Sequence, residues 1–206
     1  MKWCIVLAIA AVAADAQGLV IDVSQPNWEV MSDASSWGQT GQSFTTRTTG
    51  SLIGVRLPVQ AARWPTSPYA GSPFKVHLRE RSDWNEIVVS GYHDGAGLRL
   101  GEPRWVNVFF DEPYLQWEGD LLAFTIEDLS GGGYYGWNEY GVCSDAMSWQ
   151  EGGTMFTLMP GMGFMPVFGK DMAFETIMFP EPATFAMAML GWVGLRLHRR
   201  PRPVLR

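Results

Sequence analysis

Only 17% of the 206 residues are charged, and acidic residues outnumber basic ones by 21 to 15, for a formal net charge of −6. A general nucleic-acid binder needs a basic footprint, so that class is excluded. There are two cysteines and three histidines. No paired Cys ligands, no G-x-S-x-G, no H-E-x-x-H and no D-x-D-x-D-G loop occur, so the common nucleophile, zinc and EF-hand signatures are missing. Mean hydropathy is −0.03, which excludes a polytopic membrane protein. Gly 23 and Pro 13 exceed an average chain but fall short of a collagen-like or disordered composition. What remains is one domain's worth of chain with enough apolar surface for a core.

The two ends differ from the middle. Lys2 precedes an apolar run from Cys4 to Ala14, and Ala14-Asp15-Ala16 supplies a small-x-small site. This is the pattern of a secretory signal peptide over residues 1–16, cleaved after Ala16. At the other end Pro180-Glu181-Pro182 leads into an apolar stretch, Ala183 to Leu195, succeeded by Arg196, Arg199, Arg200, Arg202 and Arg206. Thirteen helical residues cover about 20 Å, against about 30 Å of hydrocarbon. Snorkelling arginines extend such a span and hold that end cytoplasmic.

Residues 180–206, which include the phrase PEPATFAMAMLGWVGLRLHRR, resemble the PEP-CTERM sorting signal. The basic end is longer than usual and contains Pro201 and Pro203. The resemblance implies export, retention at the inner membrane, and processing at the PEP motif by an exosortase, a membrane-embedded transpeptidase-like enzyme. It also implies a bacterium that makes exopolysaccharide, biofilm or floc matrix. The logic parallels other signals whose hydrophobic tail is discarded.

Without residues 1–16 and 180–206, basic residues fall from 15 to 9 and acidic ones from 21 to 19. The remaining domain, near −10, repels anionic polymers and attracts divalent cations. Cys4 leaves with the signal peptide, so Cys143 has no intramolecular partner; burial is its expected state.

Residues 17–179 alternate with period 2 in short runs. Ile53, Val55, Leu57 and Val59 form one apolar set; Phe74, Val76 and Leu78 a second; Leu122, Phe124 and Ile126 a third. Trp105 to Phe110 is apolar at nearly every position, as in a strand covered on both faces. Asp171 to Met178 reads as a strand with Met172, Phe174, Thr176 and Met178 on one side. Asp94-Gly95, Gly101, Glu118-Gly119-Asp120, Gly131-Gly132-Gly133 and Gly152-Gly153 mark turns. Many short strands with such turns indicate an all-β antiparallel β-sandwich. It would be flanked by an N-terminal signal helix and a C-terminal hydrophobic helix. Gln42-Ser43-Phe44-Thr45, Thr49 to Val55, Trp117 to Phe124 and Asp171 to Thr176 resemble phrases of extracellular bacterial jelly-roll modules. That resemblance implies a jelly-roll-like sandwich, often carbohydrate-binding, and commonly holding a structural Ca²⁺.

Site candidates come from residue type. Gly131 to Tyr140 combines flexible backbone with aromatics. Tyr134, Tyr135 and Trp137, with Trp149, offer ring faces for sugar C–H surfaces, and Asn138 offers an amide for hydroxyls. Tyr135 and Trp137 read first as covers for the open end of the sandwich, ahead of the sugar-binding reading. Asp128, Asp145 and Asp171 flank strand ends, and Asp33, Asp83 and Asp94 lie in turns, as oxygen donors for Ca²⁺. His77 should face solvent from its strand, and His93 sits in a turn. No catalytic residue set emerges. The sequence therefore points to an exported, non-enzymatic surface or matrix protein whose partners are an exosortase and, before processing, the inner membrane. A carbohydrate-binding module linking matrix polysaccharide to the cell is the alternative, and a glycan-active hydrolase the third reading.

Overall fold

Among the described residues, short alternating runs separated by turn residues form thirteen strands. The computed structural model describes residues 18–33, 39–61, 71–80, 85–129, 138–143, 153–159, 163–167 and 169–180. Residues 1–17, on which the expected signal peptide falls, and those beyond Pro180 lie outside them. The strands are β1 (Val20–Gln25), β2 (Val30–Asp33), β3 (Gln39–Thr45), β4 (Gly50–Ala61), β5 (Phe74–Glu80), β6 (Val89–His93) and β7 (Arg104–Gln116), then β8 (Leu121–Asp128), β9 (Asn138–Cys143), β10 (Met155–Met159), β11 (Gly163–Pro166), β12 (Asp171–Met172) and β13 (Phe174–Pro180). The described residues contain no helix.

Every pairing between these strands is antiparallel, in the order β1-β13-β4-β7-β6-β5-β8-β3-β10-β11, with β9 on the end of β4 carrying β2 and β12. The sheet curls on itself at β7. One edge of β7 pairs with β4 from Arg104 to Gln116, across a register shift, and on its other edge Phe110 pairs with Gly91 of β6. One half, β1, β13, β4, β9 and β12, thus faces the other, β6, β5, β8, β3 and β10. Phe174 of β13 meets Phe44 of β3 and Phe124 of β8, with ring centroids 5.6 and 5.2 Å apart, and Phe74 of β5 stands edge-on to Tyr140 of β9 at 6.0 Å. These contacts close the core between the halves.

The expected inward sets of β5 and β8 are buried, Phe74, Val76, Leu78, Leu122, Phe124 and Ile126 alike. In β4 the phase changes. The register with β7 shifts between Leu52 and Gly54, so Leu52 is buried and Ile53 only partly so. A bulge adds a residue and reverses the side on which the next one falls, which alternation alone does not reveal. β7 corrects a second expectation. Val106, Val108 and Phe110 are buried, but Asn107 and Phe109 are exposed. The curl gives this strand a second layer on one side only. Asp171 to Met178 is two strands. Ala173 donates its N–H to the Gly141 carbonyl, and the chain passes from β9 to β4 and β1 there. Met172, Phe174, Thr176 and Met178 are all buried. The turn between β7 and β8 requires Gly119, whose φ of 89° lies in the region that side chains disfavour.

Candidate functional site

The seam between the halves leaves a cleft of about 60 Å³, lined by Val23 to Gln25, Gln42 to Thr45, Arg47, Gly153, Asp171 and Phe174. Its position comes from topology. β1 ends one half of the sheet, and β3 belongs to the other. Phe44 and Phe174 form an apolar floor. Gln42 occupies an inward position of β3, where an amide is tolerated only if it is bonded. Its Nε2 donates to Asp171 Oδ1 at 3.0 Å, and its Oε1 accepts from the Met172 N–H at 2.9 Å. One buried amide therefore ties β3 to β12 by two hydrogen bonds. The Asp171 carboxylate is itself buried, with Ser24, Ser43, Thr45 and Arg47 around the cleft. Such a volume holds a few waters. Among the described residues of the lining the carboxylate is that of Asp171.

Tyr134, Tyr135, Trp137, Trp149, Asp145, Glu181, Pro182, Arg196, Arg199 and Arg200 lie outside the described residues. Asn138 is fully buried at the start of β9. Its Nδ2 donates to the Ser72 carbonyl at 2.8 Å and its Oδ1 accepts from the Ser72 N–H at 3.2 Å. The amide is thus engaged with the backbone before β5. Asp128 ends β8 opposite Phe74, while Asp171 sits in the seam. Among the described residues no three His, Cys, Asp or Glu side chains converge to hold a metal. A different set of hard donors was not visible in the sequence. Gln116 Nε2 bonds Asp22 Oδ2 and the Thr48 carbonyl, at 2.8 and 2.9 Å. Asp22 Oδ1 and Gln116 Oε1 are buried with no protein partner among the described residues. One carboxylate in this group falls short of the six to eight oxygens that Ca²⁺ takes.

His77 corrects the expectation of a solvent-facing side chain. It lies on the outward side of β5, yet it is only 4% exposed. Its Nδ1 lies 2.7 Å from Ser90 Oγ and its Nε2 2.9 Å from Glu127 Oε2. Burial pulls its pKa below the usual 6.5, outweighing the opposing pull of Glu127. Ser90 is the residue opposite it on β6, so the pairing of strands creates this series from residues separated in the chain. His93 is also held below 6.5, chiefly by burial, with Asp94 opposing. It stacks on Phe74 at 5.1 Å and accepts the Gly95 N–H.

Compared with known protein-family models and with curated proteins, the chain matches none.

Proposed function

We propose that the chain is an exported envelope or extracellular-matrix protein: a non-enzymatic, jelly-roll-like β-sandwich held at the inner membrane by its PEP tail until an exosortase processes it. In this reading residues 1–16 form the signal helix and 183–195 a hydrophobic helix. The observation that supports it is the position of Pro180. Pairing of β13 with β4 runs through Phe179 opposite Ser51 and ends at Pro180 opposite Gly50. Pro180, the first residue of the PEP motif, is thus still paired in β13, and a cut beyond the motif would leave every described strand with the released domain. Intact-mass measurement on protein released from an exosortase-bearing host is the test. The expected product lacks the residues after the PEP motif; full-length protein in the matrix would overturn the proposal.

A second reading, carbohydrate binding, is favoured by the polar rim over Phe44 and Phe174 in the seam. Glycan-array binding by the full chain, weakened by Asp171→Asn, is the expected result; silence across neutral and acidic glycans removes it. A structural Ca²⁺ predicts a lower melting temperature in EDTA, and an unchanged one removes that idea.

A further inference from the structure

The outward side of the half formed by β1, β13, β4 and β7 carries apolar residues with no second layer over them among the described residues. Register places them together. Ile21 of β1 is opposite Ile177 of β13, Ile177 opposite Gly54 of β4, and Gly54 opposite Phe109 of β7. In the adjacent row Phe179 is opposite Ser51, and Ser51 opposite Leu115. Directly opposed residues share a face. Ile21, Phe109, Leu115 and Phe179 are each 43–48% exposed, while Ile177 among them is nearly covered. Trp117, at 59% the most exposed of the large apolar side chains described, comes one residue after Gln116, in the row Gln116–Gly50–Pro180. The apolar residues thus gather around Phe179, next to the start of the PEP motif.

We infer that this face is a lipid-docking surface, resting the domain on the outer leaflet of the inner membrane beside its own tail. The inference builds on the tail being membrane-inserted, as proposed above. Tether length supplies the argument. Three residues separate Phe179 from Ala183, so the two α-carbons are at most about 14 Å apart. The apolar run is about 10 Å shorter than the hydrocarbon core. A short span draws its flanks into the interface or thins the bilayer. The flank here is Phe179 and the row beside it, with Leu115 and Trp117. Aromatic rings are the side chains that settle at headgroup depth. The neighbouring Arg56–Glu175 ion pair, at 3.0 Å, adds no net charge, whereas the exposed Asp111 and Glu112 between Phe109 and Leu115, and Glu118 after Trp117, make the margin of the face acidic. The acidic domain is repelled by anionic lipid, so the attraction comes from apolar contact, and zwitterionic lipid is the appropriate probe.

Hydroxyl-radical footprinting of the full chain in phosphatidylcholine vesicles, with flotation, tests this. Tyr92 is 54% exposed on β6, in the opposite half, and serves as the internal standard. The expected result is that the chain floats and that Phe109, Leu115, Trp117 and Phe179 oxidise roughly threefold or more slowly relative to Tyr92, as side chains seated in the interface are shielded. In the full chain carrying Phe109→Ser, Leu115→Ser and Phe179→Ser, flotation should persist and Trp117 should lose its protection. If the chain floats but the four residues oxidise like Tyr92, the docking face is wrong and the tail reading stands. If the chain does not float, the tail reading falls and the docking face with it. Protection that grows with the protein-to-lipid ratio assigns the face to a second copy of the chain and overturns the inference.

Discussion

The outward sides of the two halves of the sheet are opposites. On β5 and β8, His77, Arg79 and Thr125 point outward and are buried. Arg79 donates to Thr125 Oγ1, Gln39 Oε1 and the Asn85 carbonyl at 2.8–3.1 Å, and Thr125 Oγ1 donates to Gln39 Oε1. On β1, β13 and β7 the outward side carries Ile21, Phe109, Leu115 and Phe179, which stay half exposed, around Ile177, which is nearly covered. Burial here depends on the partners that neighbouring strands supply rather than on hydropathy. Polar groups are sequestered where cross-strand partners satisfy them, and apolar groups remain in water where the curl provides no second layer. A long apolar patch on a single-layered face marks a contact surface.

Substitutions can break or sharpen this contrast, and the reference point is the shared core. Phe124→Ala removes a fully buried ring at the contact between halves and should lower stability by about 4 kcal/mol, read from the denaturant midpoint. On the polar outward side, Arg79→Met should come next at about 3 kcal/mol, because it removes a buried charged donor shared by Thr125, Gln39 and the Asn85 carbonyl. A loss as small as that of a surface residue would show the network to be decorative. In the seam, Gln42→Leu keeps the volume but strands the Met172 N–H and one bond of Asp171. About 2 kcal/mol of loss is expected, with Gln42→Glu tested alongside it.

The titration of the polar side has a definite sign. His77 and His93 have folded pKa values below 6.5. Below that value the unfolded chain takes up protons that the folded chain resists, so stability should fall as pH drops from 6.5 toward the lowered values, and stay flat above. The groups facing His77 are Glu127, Arg79 and Lys75. His77→Gln should remove part of the slope, leaving the share of His93; an unchanged melting profile between pH 5 and 8 would count against a neutral buried imidazole. The smallest effect belongs to the apolar outward side. Phe109→Ser should change stability by less than about 0.5 kcal/mol while altering contact with lipid. A loss comparable to that of Phe124→Ala would mean that Phe109 belongs to the fold.

Much of the fold was legible because its central strands alternate cleanly. Phe74, Val76 and Leu78 lie opposite Asp128, Ile126 and Phe124, and a period of two suffices to orient them. Where the strand is bulged, the period misleads. Ile53 and Leu52 exchange roles across the register shift in β4, and no propensity announces it. The run Trp105 to Phe110 reads as doubly covered because Trp105 and Phe109 are apolar; only the curl shows that one of its sides is open. The seam was less legible still. Gln42, Asp171 and Phe174 are separated by up to about 130 positions, and their meeting depends on which strands become neighbours. Of the residues with candidate chemistry, Asp171 lies in the seam, Asn138 braces Ser72, and the aromatic loop and tail lie outside the described residues.

The sequence by itself determined the all-β class and the inward sets of β5 and β8. These are properties of short windows, where local periodicity and composition carry the physics. Tertiary structure alone decided which outward residues are buried, how Gln42 joins the two halves, and where Ile21, Phe109, Leu115 and Phe179 form one face. Strand register and the curl of the sheet set those outcomes, through hydrogen bonds between residues remote in the chain.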